Sequence, residues 1–201
     1  MKFRCLPVIC LLILSSIVRA DADGSFGRTE LSGTIAADIE NYMKGGIFFC
    51  NGDGAADSIR VFLEIQSNSA AVRCAIYQRT SGTAWQLIDS SAEHICGVDT
   101  AWYTFPLIER TTVSAGGQYA LVAWARQSAA WNCRIHSLEG QGEAADSMFF
   151  KSTTYGAWPS PTVPTLVWYY DAVFVCYYSG AAAVHHPAAV DGGVNKGAYL
   201  Q

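Results

Sequence analysis

Three oxygen-bearing side chains, Asn51, Asp53 and Asp57, stand within one short stretch that begins Asn51-Gly52-Asp53-Gly54. Calcium takes carboxylate and carbonyl oxygens in flexible geometry, so these are the residues that would hold one. The twelve-residue calcium loop is absent, and Asn-Gly and Asp-Gly are also the strongest short turn signals. A calcium ligand set and a plain β-turn both stay open here, and no other cofactor is expected.

Other catalytic chemistry finds less to work with. Glycoside hydrolysis needs two carboxyl groups facing each other across a cleft. Glu93, Glu109, Glu139 and Glu143 stand in polar, turn-like stretches where a carboxylate is solvated. His94 and His136 are the histidines of the patterned region, and no Gly-x-Ser-x-Gly elbow accompanies them. His185 and His186 are adjacent in an Ala/Gly-rich stretch, and no glycine-rich loop has phosphate-cradling spacing. No catalytic residue is assigned, and the chain is not expected to be an enzyme.

What remains is aromatic. Trp85, Trp131, Tyr155, Trp158, Trp168, Tyr169 and Tyr170 lie in or beside turn-like segments. Exposed flat rings stack on the faces of sugars, while the same rings also pack small β cores with their polar tips hydrogen-bonded. Trp131, Tyr155, Trp168 and Tyr170 are the candidate ligand contacts, with Trp131 and Tyr170 foremost. Trp158 reads as a determinant of the fold, because Pro159 and Pro161 beside it cannot donate ladder hydrogen bonds and force a loop or an edge. That loop is expected to fold over the end of the domain.

The elements that must position these residues are strands. From Gly46 onward the apolar residues recur with period two between Gly, Ser, Asn and Asp turns. Ile59, Val61, Leu63 and Ile65 alternate with Arg60 and Glu64, and beyond Asn68-Ser69 the residues Val72, Cys74 and Ile76 do the same, which predicts a hairpin. Further strands are expected at 47–50, 85–89, 102–107, 119–125, 132–137, 148–151 and 172–178, and one of the Trp102 and Tyr103 rings should be buried. One short helix is expected over 35–43. Many strands without intervening helices predict an all-β, antiparallel two-sheet sandwich of about eight or nine strands, in jelly-roll style. The division expected is a lead segment over 21–45, the sandwich over 46–179 and a flexible tail over 180–201.

Residues 1–20 carry Lys2 and Arg4, an apolar run from Leu6 to Ile17, and Val18-Arg19-Ala20. This predicts an export signal in helical form, too short in its apolar core to span a bilayer. Its removal leaves Cys50, Cys74, Cys96, Cys133 and Cys176, an odd number. Two bridges with a leftover thiol, or five buried hydrophobes, both fit, and Cys74 and Cys176 read first as core residues. With 13 Lys and Arg against 17 Asp and Glu, the chain lacks the basic clusters that nucleic acid or an anionic membrane surface would reward.

Several segments together carry a resemblance: Ala56-Asp57-Ser58-Ile59, Val72-Arg73-Cys74-Ala75-Ile76-Tyr77, Ala101-Trp102-Tyr103-Thr104-Phe105, the run from Ser114-Ala115-Gly116-Gly117 to Trp124, and Tyr155-Gly156-Ala157-Trp158-Pro159-Ser160-Pro161. In order and spacing, across roughly residues 45 to 180, they resemble a small secreted β-sandwich domain that recurs in bacterial, archaeal and phage surface proteins. The resemblance implies a sandwich like those of carbohydrate-binding modules and brings no catalytic residues with it. The expectation that follows is a secreted or cell-surface, non-catalytic binding module for a glycan or another surface ligand. The rival is a structural or adhesive subunit that self-associates through sheet edges or through the tail, where Ala198-Tyr199-Leu200 could add a strand to another copy. Neither expects nucleic acid or membrane insertion.

Overall fold

The computed structural model describes residues 23–31, 34–127, 132–139, 148–164, 166–168 and 170–180. The expected signal over 1–20 and nearly all of the expected tail lie outside them. Fifteen strands run in chain order: β1 (Gly24–Gly27), β2 (Thr34–Asp38), β3 (Tyr42–Phe49), β4 (Gly54–Ile65), β5 (Ala70–Ser81), β6 (Ala84–Ser90), β7 (His94–Cys96), β8 (Thr100–Pro106), β9 (Thr112–Val113), β10 (Gln118–Ala125), β11 (Cys133–Glu139), β12 (Met148–Ser152), β13 (Leu166–Trp168), β14 (Tyr170–Ala172) and β15 (Phe174–Ser179). Sheet A holds β1, β2, β4, β8, β9, β11, β14 and β15, and sheet B holds β3, β5, β6, β7, β10, β12 and β13. The chain crosses repeatedly between two antiparallel sheets, as a jelly-roll-style sandwich does.

The strands outnumber the eight or nine expected because β1, β2, β7, β9, β13 and β14 span only two to five residues each. So short a piece has no room to alternate, and its identity comes from the strand it pairs with. For the same reason residues 24–45 are not a separate lead. β1 pairs with β15, β2 pairs with β11, and β3 already begins at Tyr42.

No helix forms over 35–43. Ile35, Ile39 and Met43 recur every four residues, but the chain turns between two strands at Asn41, whose φ is 59°. Ile39 and Met43 are buried, and β2 is held along β11 from the Thr34–Leu138 pair to the Asp38–Arg134 pair.

The expected hairpin of β4 with β5 is also absent. Every one of Ile59, Val61, Leu63, Ile65, Val72, Cys74 and Ile76 is buried in one core, as their alternation requires. Yet β4 pairs with β8, β9, β11 and β15, while β5 pairs with β6, β7 and β10. The turn through Asn68, at φ 57°, carries the chain from sheet A to sheet B, so the two apolar faces meet across the core. Asn132 pins that crossing. Its Oδ1 accepts the Ser67 amide and the Ser67 hydroxyl, the latter at 3.1 Å, and its own amide donates to buried Glu40 at 2.8 Å.

Of the β8 aromatics, Phe105 takes the fully buried place, Tyr103 packs half-buried against the core, and Trp102 is half-exposed on the outer face. The turn before β10 forms as its glycines predict. Gly116 adopts φ 75°, and the Gly117 amide donates to the Ser114 carbonyl at 3.0 Å.

Sheet B is apolar on both faces. On its outer side Met43, Ile47, Ala75, Tyr77, Trp85, Val122, Trp124 and Phe149 form a second cluster, covered by Tyr155 and Trp158. The 153–164 segment therefore lies over a face of the sandwich and not over its end. It is tied down by the paired Thr162 and Trp85 backbones at 2.8 Å each way, by Tyr77 donating to the Pro159 carbonyl at 3.0 Å, and by the Leu87 amide on Ser160 Oγ at 3.1 Å.

Candidate functional site

With the outer face of sheet B covered, the outer face of sheet A is the broad surface left open by the described residues. β4 runs through its middle with β15 on one side and β8 on the other. Directly opposed residues of an antiparallel pair share a face. Tyr177 stands opposite Ser58, Val175 and Thr104 flank Arg60, and Trp102 stands opposite Phe62. Outward-facing Arg60 thus lies between Tyr177 on one rung and Trp102 on another. Four β4 residues at about 3.4 Å each, and two strand spacings of about 4.8 Å, put Tyr177 and Trp102 roughly 17 Å apart at the backbone.

The side chains pack on one another. The Arg60 guanidinium carbon lies 5.3 Å from the Trp102 ring centre, and Phe62 meets Trp102 edge to face at 5.6 Å. Thr29, Arg60, Trp102, Val175 and Tyr177 line a shallow groove of about 150 Å³. Tyr177 is 37% exposed, and Arg60 Nε is enclosed without a hydrogen-bond partner among the described residues. A guanidinium donor between two aromatic surfaces suits a ligand with a flat apolar face and hydroxyl or carboxylate acceptors.

Beyond Phe62 the same face carries a row of polar groups. His136 Nδ1 is 2.9 Å from Thr34 Oγ1, and His136 Nε2 is 3.4 Å from Glu64 Oε2. A hydroxyl, an imidazole and a carboxylate in line resemble the parts of an acyl-transfer triad. The hydrogen bonding is that of a different arrangement. Thr34 Oγ1 also reaches the Leu31 carbonyl at 3.1 Å, and His136 Nε2 makes no hydrogen bond to a carboxylate among the described residues. Arg134 further engages Asp38 at 3.0 Å and Glu64 at 3.7 Å, which reads as a surface ion-pair network.

The residues singled out from the sequence go to separate places. Asn51 Oδ1 accepts from Tyr178 Oη at 2.8 Å, Asp53 accepts from the Ala115 amide at 2.9 Å, and Asp57 accepts from Arg110 Nε at 2.6 Å. Each oxygen braces a different neighbour. Among the described residues no group of three or more His, Cys, Asp or Glu converges. Tyr155 is half-buried within the cover of sheet B, its hydroxyl donating to Glu93 at 2.7 Å. Tyr170 packs against the core and lines a cleft at one flank of the sandwich. Trp168 belongs to β13, opposite Met148, and its side chain lies outside the described set, as do Trp131 and Tyr169. Trp85, on β6, is buried with its ring edge-on to Phe149 at 6.1 Å.

Among the candidate acids and bases, Glu93 pairs with Arg126 at 2.7 Å. Exposed His94 meets Phe105 edge-on at 6.0 Å. The Glu139 side chain, Glu143, His185 and His186 lie outside the described residues. The five cysteines among the described residues are free and buried, so the buried-hydrophobe alternative describes this state. Burial pushes the Cys96 thiol up to about 12 and raises those of Cys74, Cys133 and Cys176 as well.

Sequence reasoning looked for exposed rings in loops and passed over Trp102, Phe62 and Tyr177, which are on strands. A signal was present: Arg60, Phe62 and Glu64 occupy the polar-face positions of β4, and a phenylalanine there is out of pattern. No protein-family model matches the chain, and no curated protein is similar to it.

Proposed function

We propose that this chain is a secreted, non-catalytic binding module that holds an extended glycan against the outer face of sheet A. The observation that carries the reading is the uncovered Tyr177–Arg60–Trp102 row, set on three adjacent strands while the opposite face is covered. Trp102 and Tyr177 supply ring surfaces that stack on sugars, and Arg60 supplies donors for ring oxygens and hydroxyls. Their separation suits a chain of sugar units. The resemblance to surface-protein sandwiches and the signal-like residues 1–20 support a place outside the cell.

The test is a glycan array with the purified chain and with Trp102→Ala and Tyr177→Ala. A saturable oligosaccharide signal that falls at least about tenfold in both variants, while Tyr155→Phe keeps it, supports the reading. A signal indifferent to both variants removes this face from the function.

A second reading, a subunit that assembles through sheet edges, draws on β7. There Ile95 is 60% exposed and Val98, just beyond the strand, is 58% exposed. Concentration-dependent growth in light scattering that Ile95→Lys abolishes would favour it.

A further inference from the structure

Lys44 stands directly opposite Ala123 of β10 on one side and Phe150 of β12 on the other. Ala123 belongs to the core between the sheets, so Lys44 shares that inner face. An inward-pointing charge is a known way to blunt a sheet edge, but β3 has strands on both sides. The lysine therefore needs another explanation.

It stands where the two sheets part. Lys44, Met148 and Phe150 from sheet B face Ile35, Ser137 and Tyr170 from sheet A across a cleft of about 190 Å³. The Lys44 ammonium is 5.1 Å from the Tyr42 ring centre and 5.4 Å from that of Phe150. It has no hydrogen-bond acceptor among the described residues, and burial holds its pKa below the ordinary lysine value, against the pull of the Asp38 carboxylate. Ser137 lines the same cleft. Ser137 is 1% exposed, and its Oγ has no hydrogen-bond partner among the described residues. A buried polar group without a partner costs free energy comparable to a lost hydrogen bond, and Ser137 Oγ is such a group, while the half-buried Lys44 lines the same apolar cleft.

We propose that the cleft binds a small apolar carboxylate, whose body packs against Phe150, Met148 and Ile35 and whose carboxylate accepts from Lys44 and Ser137. The wall chemistry selects the body. A sugar would set hydroxyls against methyl groups and ring faces with no partners for them, whereas a hydrocarbon chain replaces water there at no such cost. The volume selects the size. The cleft falls below the roughly 300 Å³ at which pockets take drug-sized ligands. That size suits a small ligand such as a medium-chain fatty acid. The site is separate from the outer face of sheet A, so either can hold without the other.

The experiment is isothermal titration of the purified chain with octanoate, with octanol and with galacturonate. Octanoate should bind at one site, octanol about tenfold more weakly, and galacturonate not at all. Lys44→Met keeps the packing and removes the charge, and should abolish the preference for octanoate over octanol. Ser137→Ala should weaken octanoate several-fold and octanol by less, since a hydrogen bond to a carboxylate is the stronger. Equal binding of octanoate and octanol to the unaltered chain overturns the charge recognition. No octanoate binding below its micelle concentration overturns the site, and galacturonate binding lost in Lys44→Met reassigns it to an acidic sugar.

Discussion

The guanidinium carbon of Arg73 lies 4.6 Å from the centre of the Trp158 ring, and the same cation is 4.4 Å from Tyr155 and 4.8 Å from Trp124. Arg73 also donates to the Gly156 carbonyl. One cation thus joins a strand of sheet B to the segment that covers it. The arrangement explains why a polar residue on the outer face of β5 stands inside an aromatic cluster: its charge is met by ring faces and a carbonyl.

Removing the ring should expose the second cluster. Trp158→Ala is expected to cost about 3 kcal/mol of stability, near the lower end for deleting a packed tryptophan because this one is half-exposed. Trp102→Ala, on the open face, should cost about 1 kcal/mol or less. Urea denaturation of the two variants checks the contrast, and equal losses would mean that the 153–164 segment does not act as a cover.

Acid should loosen the same region. Glu93 is held below the ordinary glutamate value of 4.5, first by the Tyr155 hydroxyl and then by Arg126. A carboxylate with a depressed folded-state pKa adds stability above its unfolded value, and that contribution is lost as pH falls through the folded one. Glu93→Gln should therefore lower stability at pH 7 by about 0.5 kcal/mol, the scale of an exposed ion pair. The difference between variant and parent should close below the ordinary value of 4.5. Thermal melts across pH 3 to 7 read it directly, and a difference that widens in acid would contradict the assignment.

The thiols should be silent in the folded chain. Thiolate is the reactive form, and burial raises Cys96 to about 12 and Cys74, Cys133 and Cys176 upward too. A reduced chain beginning at residue 21 should react with Ellman's reagent at pH 8 only as fast as it unfolds. In denaturant all five cysteines should react within the mixing time. Fast reaction of even one thiol in the folded protein would show a route to the core that this packing does not contain.

Asp89 should prove a hinge pin for the loop that leads from β8 to β9. It is buried, and its carboxylate accepts from the Ser90 amide at 2.6 Å, from the Glu109 amide at 3.1 Å and from the Thr111 amide at 3.4 Å. Asp89→Ala leaves those donors without their acceptor and should cost about 3 kcal/mol. Asp89→Asn keeps one acceptor oxygen and should cost less. Hydrogen exchange would localise the damage to 107–113, and protection there unchanged in Asp89→Ala would refute the role.

Alternation along the long strands was legible. Ile59, Val61, Leu63 and Ile65 are buried because strand geometry sends every second side chain to the same side. The all-β class followed from the same pattern. Much of the candidate site was hidden, since Trp102 and Tyr177 lie far apart in the chain and become neighbours of Arg60 only through pairing on either side of β4. Tyr155 was chosen as an exposed ring and proves half-buried, because nothing local announces that sheet B has a second apolar face to cover.

What the sequence determined by itself is therefore which residues a long amphipathic strand such as β4 sends to the core: period two is a property of one chain segment and needs no partner. What only the tertiary structure decided is which strands lie beside one another and which lie opposite. β4 and β5 show the difference, for two amphipathic strands bury the same residues whether they pair edge to edge or meet across a core. Lys44 shows it again. From the sequence it falls in the lead segment before the sandwich, and only the register with Ala123 shows that it faces inward, because directly opposed residues of paired strands share a face.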